Sequence, residues 1–459
     1  MDRHALLQQL EVALAAIADW QAQWEPFRTD PTLEISPERT AAVLDQLTSR
    51  LRENYPYHHP RYAGQMLKPP HPVAMLAYFA AMQINPNNHA LDGGIATSHL
   101  ERAVVPLLAQ MFGFPATHLG HLTSSGTIAN LEALWVARES RPGTAIVAGE
   151  QAHYTHARMC ALLGVPFVVA PCDADGRMDV DALRSLLARE NIGTVVGTAG
   201  TTGLGMVDPL HEIIPLAREA GARVHVDAAY GGFFTLLAHQ ASPPVDPEPF
   251  LAIAEADSVV VDPHKHGLQP YGCGAVLFRD PAVGRFYAHN SPYTYFTSAE
   301  LHLGEISLEC SRAGAAAAAF WATLQAFPLE PERGFGPILA RCRAAAVEWA
   351  ARLQAHPRFR LVTQPDLDIV NFYAVPDGDA PPTASAISAL SERIFRGAEH
   401  DLQEPVYLAK LKASPQQLAA RDPSIIWDTP DVTVVRSVLM KPEHADWVDR
   451  LQRAIERHI

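Results

Sequence analysis

The sequence predicts an α/β protein: a large domain on a mostly parallel sheet, preceded by a helical arm and followed by a smaller α/β domain. Two observations carry this. Between residues 90 and 330, short continuous apolar runs alternate with helix-like segments, the pattern of strands buried on both faces by crossover helices. After the proline-rich Pro328-Leu329-Glu330-Pro331 the texture changes to a second, shorter mixture of helix and strand.

Residues 1–85 read as a helical arm: Leu6, Leu7, Leu10, Val12, Leu14 and Ile17 approximate a helix period, and Ile35-Ser36-Pro37-Glu38-Arg39 has a cap followed by proline in the first turn. Asn85-Pro86-Asn87-Asn88 separates the arm from the large domain, which spans 86–330. Residues 100–111 and 126–137 read as helices. Strands are expected at Ala145-Ile146-Val147, Phe167-Val168-Val169, Thr194-Val195-Val196, Val224-His225-Val226, Ser258-Val259-Val260-Val261 and Ala275-Val276-Leu277-Phe278. Residues 180–190 and 211–220 supply helices between them. The small domain spans 331–459. It holds a helix over 337–353, strands at Phe359-Arg360-Leu361-Val362 and Ile369-Val370-Asn371-Phe372-Tyr373, a helix over 384–395 and a strand at Val432-Thr433-Val434-Val435.

Composition narrows the function. Hydrophobic residues make up 48% and charged residues 19%, an ordinary globular balance. A net charge of −14 with no Lys/Arg run argues against a nucleic-acid surface. The five cysteines, Cys160, Cys172, Cys273, Cys310 and Cys342, are odd in number and lack a Cys-x-x-Cys spacing. That disfavours a disulfide framework or a metal site and fits a reducing cytoplasm. The apolar stretch over 313–324 is too short to cross a bilayer, so no membrane partner is expected. Charged Asp2, Glu11 and Asp19 disfavour a secretory signal.

The chemistry-bearing residues share one placement, at strand ends. Thr123-Ser124-Ser125-Gly126-Thr127 feeds a helix whose N-terminal amides suit a phosphate. Gln151-Ala152-His153 comes just after a strand, and an imidazole there can stack on a flat ring. Gly200-Thr201-Thr202, Asp227 and Lys265 each come at the end of a β-run. Taken singly, these residues could be caps, turns or surface groups. Taken together, they suit pyridoxal phosphate: a lysine binds its aldehyde, and an aspartate keeps its ring nitrogen protonated. Open α/β sheets bind ligands outside the carboxyl ends of their strands. No Gly-x-Gly-x-x-Gly sits between a strand and a helix, which disfavours a nicotinamide enzyme.

From about residue 57 to 445 the chain resembles the group II pyridoxal-phosphate-dependent amino-acid decarboxylases. The motifs are His58-His59-Pro60-Arg61-Tyr62, Gln151-Ala152-His153, His225-Val226-Asp227-Ala228-Ala229-Tyr230-Gly231-Gly232 and Asp262-Pro263-His264-Lys265. Glu309-Cys310-Ser311-Arg312-Ala313-Gly314 and Asn85-Pro86-Asn87-Asn88 look most like the tyrosine decarboxylases of bacteria and archaea. The resemblance implies a fold type I enzyme with a seven-stranded-type sheet, pyridoxal 5′-phosphate as cofactor, and a homodimer with shared active sites. It implies Lys265 as the cofactor-binding lysine, Asp227 as the ring-nitrogen partner and His153 as the stacking histidine. It places Ser125, Gly126, Thr127 and His264 near the phosphate, with Thr202 and Ala229 against the ring. Arg436 is implied to hold the substrate α-carboxylate, and Tyr62 and Gln65 to line the substrate pocket.

One part of the family pattern is missing. Many members carry a loop tyrosine that protonates Cα. The counterpart here, Phe296-Thr297-Ser298-Ala299-Glu300-Leu301-His302-Leu303-Gly304-Glu305, has none. Tyr293, just before it, and His302, within it, are the expected donors. The expected reaction is decarboxylation of an L-amino acid, aromatic first and acidic second. An aldehyde synthase or a carbon–carbon lyase is the alternative.

Overall fold

The computed structural model describes residues 2–288, 306–378 and 380–459. Its centre is a seven-stranded sheet: β1 (Leu119–Thr123), β2 (Ala145–Gly149), β3 (Phe167–Ala170), β4 (Ile192–Thr198), β5 (Arg223–Asp227), β6 (Ser258–Val261) and β7 (Gly274–Phe278). The spatial order is β1-β7-β6-β5-β4-β2-β3. The neighbours β6, β5, β4, β2 and β3 pair in parallel. β7 runs antiparallel to both β6 and β1, so β1 points the same way as the rest.

Two-sided burial explains the uninterrupted apolar runs. Val259, Val260 and Val261 are all fully buried, where alternation would have left one face wet. Each such side chain contributes roughly 1.5–3 kcal/mol of transfer free energy. Six strands, β1 to β6, end on one edge of the sheet. The loops that carry the polar motifs are therefore gathered there by topology alone.

A second sheet holds β8 (Phe359–Leu361), β9 (Ile369–Ala374), β10 (Ala409–Ala413) and β11 (Val432–Val438), antiparallel throughout in the order β10-β11-β9-β8. Helices Phe335–Ala355, Ala384–Glu399 and Val448–Glu456 belong to the same region, around a core that includes Trp349, Phe359 and Phe372. Two strands, β1 and β10, are not among those the sequence predicts. β1 contains glycine and histidine, and β10 alternates Lys410 and Lys412 with Leu411, so neither reads as a β-branched run.

The N-terminal helices Arg3–Gln21 and Pro37–Leu51 bury no residue. The chain then crosses to the small sheet, where the Ala63 amide donates to the Tyr407 carbonyl and the Val438 amide to that of Ala63. Among the described residues, no helix is long and apolar enough to cross a membrane.

Candidate active site

A cavity of about 230 Å³ opens at the shared strand edge. It is lined by Ser125, Gly126, Thr127, His153, Thr202, Asp227, Ala229, His264 and Lys265, with others from the same loops. All nine residues expected around a cofactor are thus brought together. A larger cavity of about 680 Å³, beside Arg177 and Asp366, shares none of them. We take the smaller one as the site because the strand ends converge there.

Asp227 closes β5, buried at 5% exposure. Its Oδ2 accepts from His156 Nε2 at 2.9 Å, and its Oδ1 from the Ala229 amide at 3.1 Å. Burial opposes the charge, but the His156 hydrogen bond and the nearby positive groups outweigh it. The carboxyl is held well below the usual carboxylate range. Such a buried, ionised carboxylate suits a cationic ring nitrogen.

Beneath it, His225 Nε2 donates to Asn130 Oδ1 at 2.8 Å, and His225 Nδ1 lies 2.9 Å from Ser258 Oγ. Burial pushes the His225 pKa down to about 3, so the ring is neutral. Asn130 Nδ2 in turn donates to the Gly126 carbonyl at 2.9 Å, tying the start of helix Gly126–Ser140 to β5.

Lys265 comes just after β6, its Nζ 3.0 Å from Asp262 Oδ2. Asp262 Oδ1 is buried and lacks a hydrogen-bond partner. A Cβ on Gly126 would lie 2.5 and 2.7 Å from the two Asp262 oxygens, so glycine is required where the helix meets this carboxylate. The His264 Nδ1 donates to the Cys273 carbonyl at 2.7 Å, which leaves Nε2 as an acceptor, and burial lowers its pKa.

His153 Nδ1 accepts from the Thr155 amide at 3.2 Å, which places the proton of the neutral ring on Nε2. Burial lowers the His153 pKa, and one face of the ring packs on Tyr154 with centroids 4.2 Å apart.

The three expected substrate residues lie beside this cavity. Tyr62 and Gln65 line an adjacent cleft of about 320 Å³ with Tyr55, Phe395, Glu399 and Tyr407. Arg436, on β11, stands between the two. Its Nη2 donates to the Thr202 carbonyl at 2.7 Å, Nε to that of Gly203 at 3.1 Å and Nη1 to that of Gly64 at 3.4 Å. The arginine is thus already engaged by backbone from both sides of the cleft. Tyr293 and His302 lie outside the described residues.

Sequence reading assigns no role to Asn130, His156, Tyr230 or Asp262. Asp262 stands in a family-like motif without a function of its own. His156 carries no signal, because a histidine in the first turn of a helix has no meaning until the helix is docked against β5.

A strand-end lysine, a buried ionised aspartate and a helix N-terminus on one sheet edge define a fold type I pyridoxal-phosphate enzyme. The chain belongs to the pyridoxal-dependent decarboxylase family, whose conserved domain matches residues 26–375. It is 29% identical to the L-tyrosine decarboxylase of Enterococcus faecium, over 82% of this chain and 79% of that one. It is also 29% identical to the L-aspartate decarboxylase of Thermococcus kodakarensis, over 73% of this chain and 86% of that one. A crystal structure of mouse CSAD superposes with a TM-score of 0.79, at 21% identity, covering 99% of this chain and 98% of that one. The protein is a pyridoxal-phosphate-dependent amino-acid decarboxylase.

The residues present fit that cofactor. The ionised Asp227 offers an acceptor for a protonated ring nitrogen, the helix that starts at Gly126 offers backbone amides for a phosphate, and Lys265 lines the same cavity.

Proposed function

We propose that the protein decarboxylates an aromatic L-amino acid, tyrosine or a close relative, to the amine and carbon dioxide. The observation that carries the aromatic preference is the ring-lined cleft of Tyr55, Tyr62, Phe395 and Tyr407 beside the Lys265 cavity. Its one cation, Lys410, donates to Glu392 at 2.6 Å, and Lys265 faces Asp262. Among the described residues lining the two clefts, no lysine or arginine is left to pair with a second substrate carboxylate. An acidic substrate is the second reading. It is favoured by the exposed Gln65 amide in the same cleft and by the name of the Thermococcus relative.

Pyridoxal phosphate, when bound, supplies an electron sink for the pair left by the departing carboxyl group. The chain's residues do the rest. Lys265 would provide the amine that holds the cofactor. Asp227, oriented by His156 and the Ala229 amide, would keep a proton on the ring nitrogen. His153 would pack on the cofactor ring, with Ala229 and Thr202 as further walls of the cavity. Ser125, Gly126 and Thr127 would hold the phosphate through hydroxyl and amide groups, with the neutral His264 ring beside them as a wall. Arg436 offers its remaining N–H groups to the substrate α-carboxylate and fixes the wall made by Thr202 and Gly203. Tyr293 or His302 returns a proton to Cα.

We further infer a three-part chain, an arm at 1–85, a large domain at 86–330 and a small domain at 331–459, assembled as a cytosolic homodimer. Leu7, Val12, Trp20, Trp24, Phe27 and Leu47 on the arm are exposed, apolar surface that a second copy would cover.

The test is amine and carbon dioxide release from L-tyrosine, L-phenylalanine, L-tryptophan, L-DOPA, L-aspartate and L-glutamate, with peroxide monitored alongside. Turnover of the aromatic group, lost in Lys265→Ala, supports the reading. Turnover of the acidic pair alone overturns the aromatic preference. Stoichiometric peroxide with aldehyde in place of amine overturns the amine product, and Tyr293→Phe and His302→Gln then separate the two proton donors.

A further inference from the structure

Three consecutive residues of the small domain pack behind the loops that carry the site. Asp366, Leu367 and Asp368 lie between β8 and β9, and each touches a different part of the strand-end loops. Asp366 Oδ2 accepts from the Val207 amide at 3.0 Å, and its carboxylate holds Arg177 through Nε at 3.2 Å and Nη2 at 2.7 Å. Val207 closes the loop after β4 that carries Thr202.

Leu367 is fully buried. Its Cδ1 stands 3.0 Å from where a Cβ would project at both Gly200 and Gly231. Gly200 also has φ +96°; a Cβ on either glycine would meet the backbone of the other loop first, the Gly231 nitrogen from Gly200 and the Ala199 carbonyl from Gly231, and Leu367 packs over this close approach of the two site loops. Asp368 is fully buried, and its Oδ1 accepts from Tyr230 Oη at 2.6 Å. Its Oδ2 lies 3.2 Å from His266 Nε2, off the line of a hydrogen bond. Tyr230 is three residues beyond Asp227 and lines the Lys265 cavity; His266 is the neighbour of Lys265. On its other side, Asp368 is part of the small domain, its carbonyl accepting from the Leu439 amide at 2.8 Å.

We propose that Asp366–Leu367–Asp368 is a positioning wedge that sets the spacing between the Thr202, Asp227 and Lys265 loops. The placement of the small domain is thereby built into the geometry of the cofactor site. None of the three residues lines the Lys265 cavity; they act through Gly200, Gly231, Tyr230 and His266. A buried carboxylate between a phenol and an imidazole is a costly device for mere cohesion, since an apolar core would serve equally well. Its directional contacts instead fix two loops against one rigid point. This proposal rests on the reading of Lys265 as the cofactor-binding lysine.

The experiment uses the holoenzyme and three conservative variants: Asp368→Asn, Tyr230→Phe and Leu367→Ala. Cofactor affinity, the pH midpoint of the bound cofactor's visible absorbance, kcat, KM and Tm are measured together. The expected result is a fall in kcat of about ten- to a hundredfold, the scale of a misplacement near 1 Å, with KM changed much less. The pH midpoint should move in Asp368→Asn and Tyr230→Phe, and the double variant should be no worse than the worse single one, since both break the same contact. A lower Tm with unchanged kcat and pH midpoint overturns the wedge and leaves a structural brace. Lys265→Ala separates the two readings. If it retains the visible absorbance of wild type, both fall; if it loses that absorbance while the wedge variants behave as wild type, only the wedge falls.

Discussion

Replacing His156 tests whether Asp227 works as a buried anion. In wild type, Asp227 Oδ2 accepts from His156 Nε2 at 2.9 Å, and both side chains are shielded from water. His156→Phe keeps a ring of similar size and removes the donor. The Ala229 amide on Oδ1 is then the remaining protein hydrogen bond to this carboxylate. A hydrogen bond to a charged group contributes about 1.5–3 kcal/mol. Its loss should raise the Asp227 pKa by about one to two units, since burial already pushes upward. The same free energy, if felt in the ring-nitrogen contact, corresponds to a roughly ten- to hundredfold loss in kcat/KM. Because the folded-state pKa is depressed, Asp227 contributes stability above its unfolded value, and that stability is lost as pH falls through the folded value. In the Phe variant the contribution shrinks, so acid release of the cofactor should begin at higher pH. The assay is retention of visible cofactor absorbance between neutral pH and about pH 3, beside steady-state kinetics. His156→Gln, which keeps a neutral donor, should fall between wild type and Phe. Identical acid curves and kinetics for all three proteins would refute the reasoning and leave the Ala229 amide as sufficient.

Other expectations rest on single contacts. Gly126→Ala would drive a methyl into the Asp262 carboxylate and displace its pairing with Lys265; we expect a loss of about 1–3 kcal/mol in stability and weaker cofactor binding, read by thermal melts and absorbance titration. Arg436→Lys replaces three carbonyl contacts spread over a planar guanidinium with one point charge, so KM should rise and the large-domain loop around residues 202–203 should exchange its amide hydrogens faster. Lys441, whose Nζ donates to the Tyr62 carbonyl, is pushed down to about 7 by burial. Between pH 7 and pH 10.5 the unfolded chain binds the extra proton, so this group makes wild type gain stability as pH rises, with no slope from it below about 7. Lys441→Met should abolish that part of the slope, measured as the difference in denaturant midpoint between pH 6 and pH 9.

Much of the fold was legible because two-sided burial leaves a direct mark on composition. Strands β4, β5 and β6 sit in the sheet interior, and their β-branched residues meet apolar neighbours on both faces. β1 and β10 escaped for opposite reasons. β1 is buried yet polar: Gly120 fits against the Val276 carbonyl, where a Cβ would lie at 3.0 Å, and His121 lies 2.9 Å from the buried Glu132. β10 is an edge strand whose lysines face outward, and Lys410 and Lys412 pair with Glu392 and Asp431.

The site divides in the same way. Ser125, His153, Thr202, Asp227, His264 and Lys265 could be placed together from the sequence because each caps a helix, closes a strand or follows a strand within four residues, and a parallel sheet must bring such ends to one edge. His156, Tyr230 and Asp368 could not. Their roles depend on how a helix docks on β5 and how the small domain meets the large one, contacts made across 71 and 138 residues of chain. The sequence by itself determined the alternation of elements, and with it the edge where chemistry collects. Only the tertiary structure decided which buried groups hold that edge rigid, because side-chain partners distant in the chain are chosen by packing, and packing leaves no local period to read.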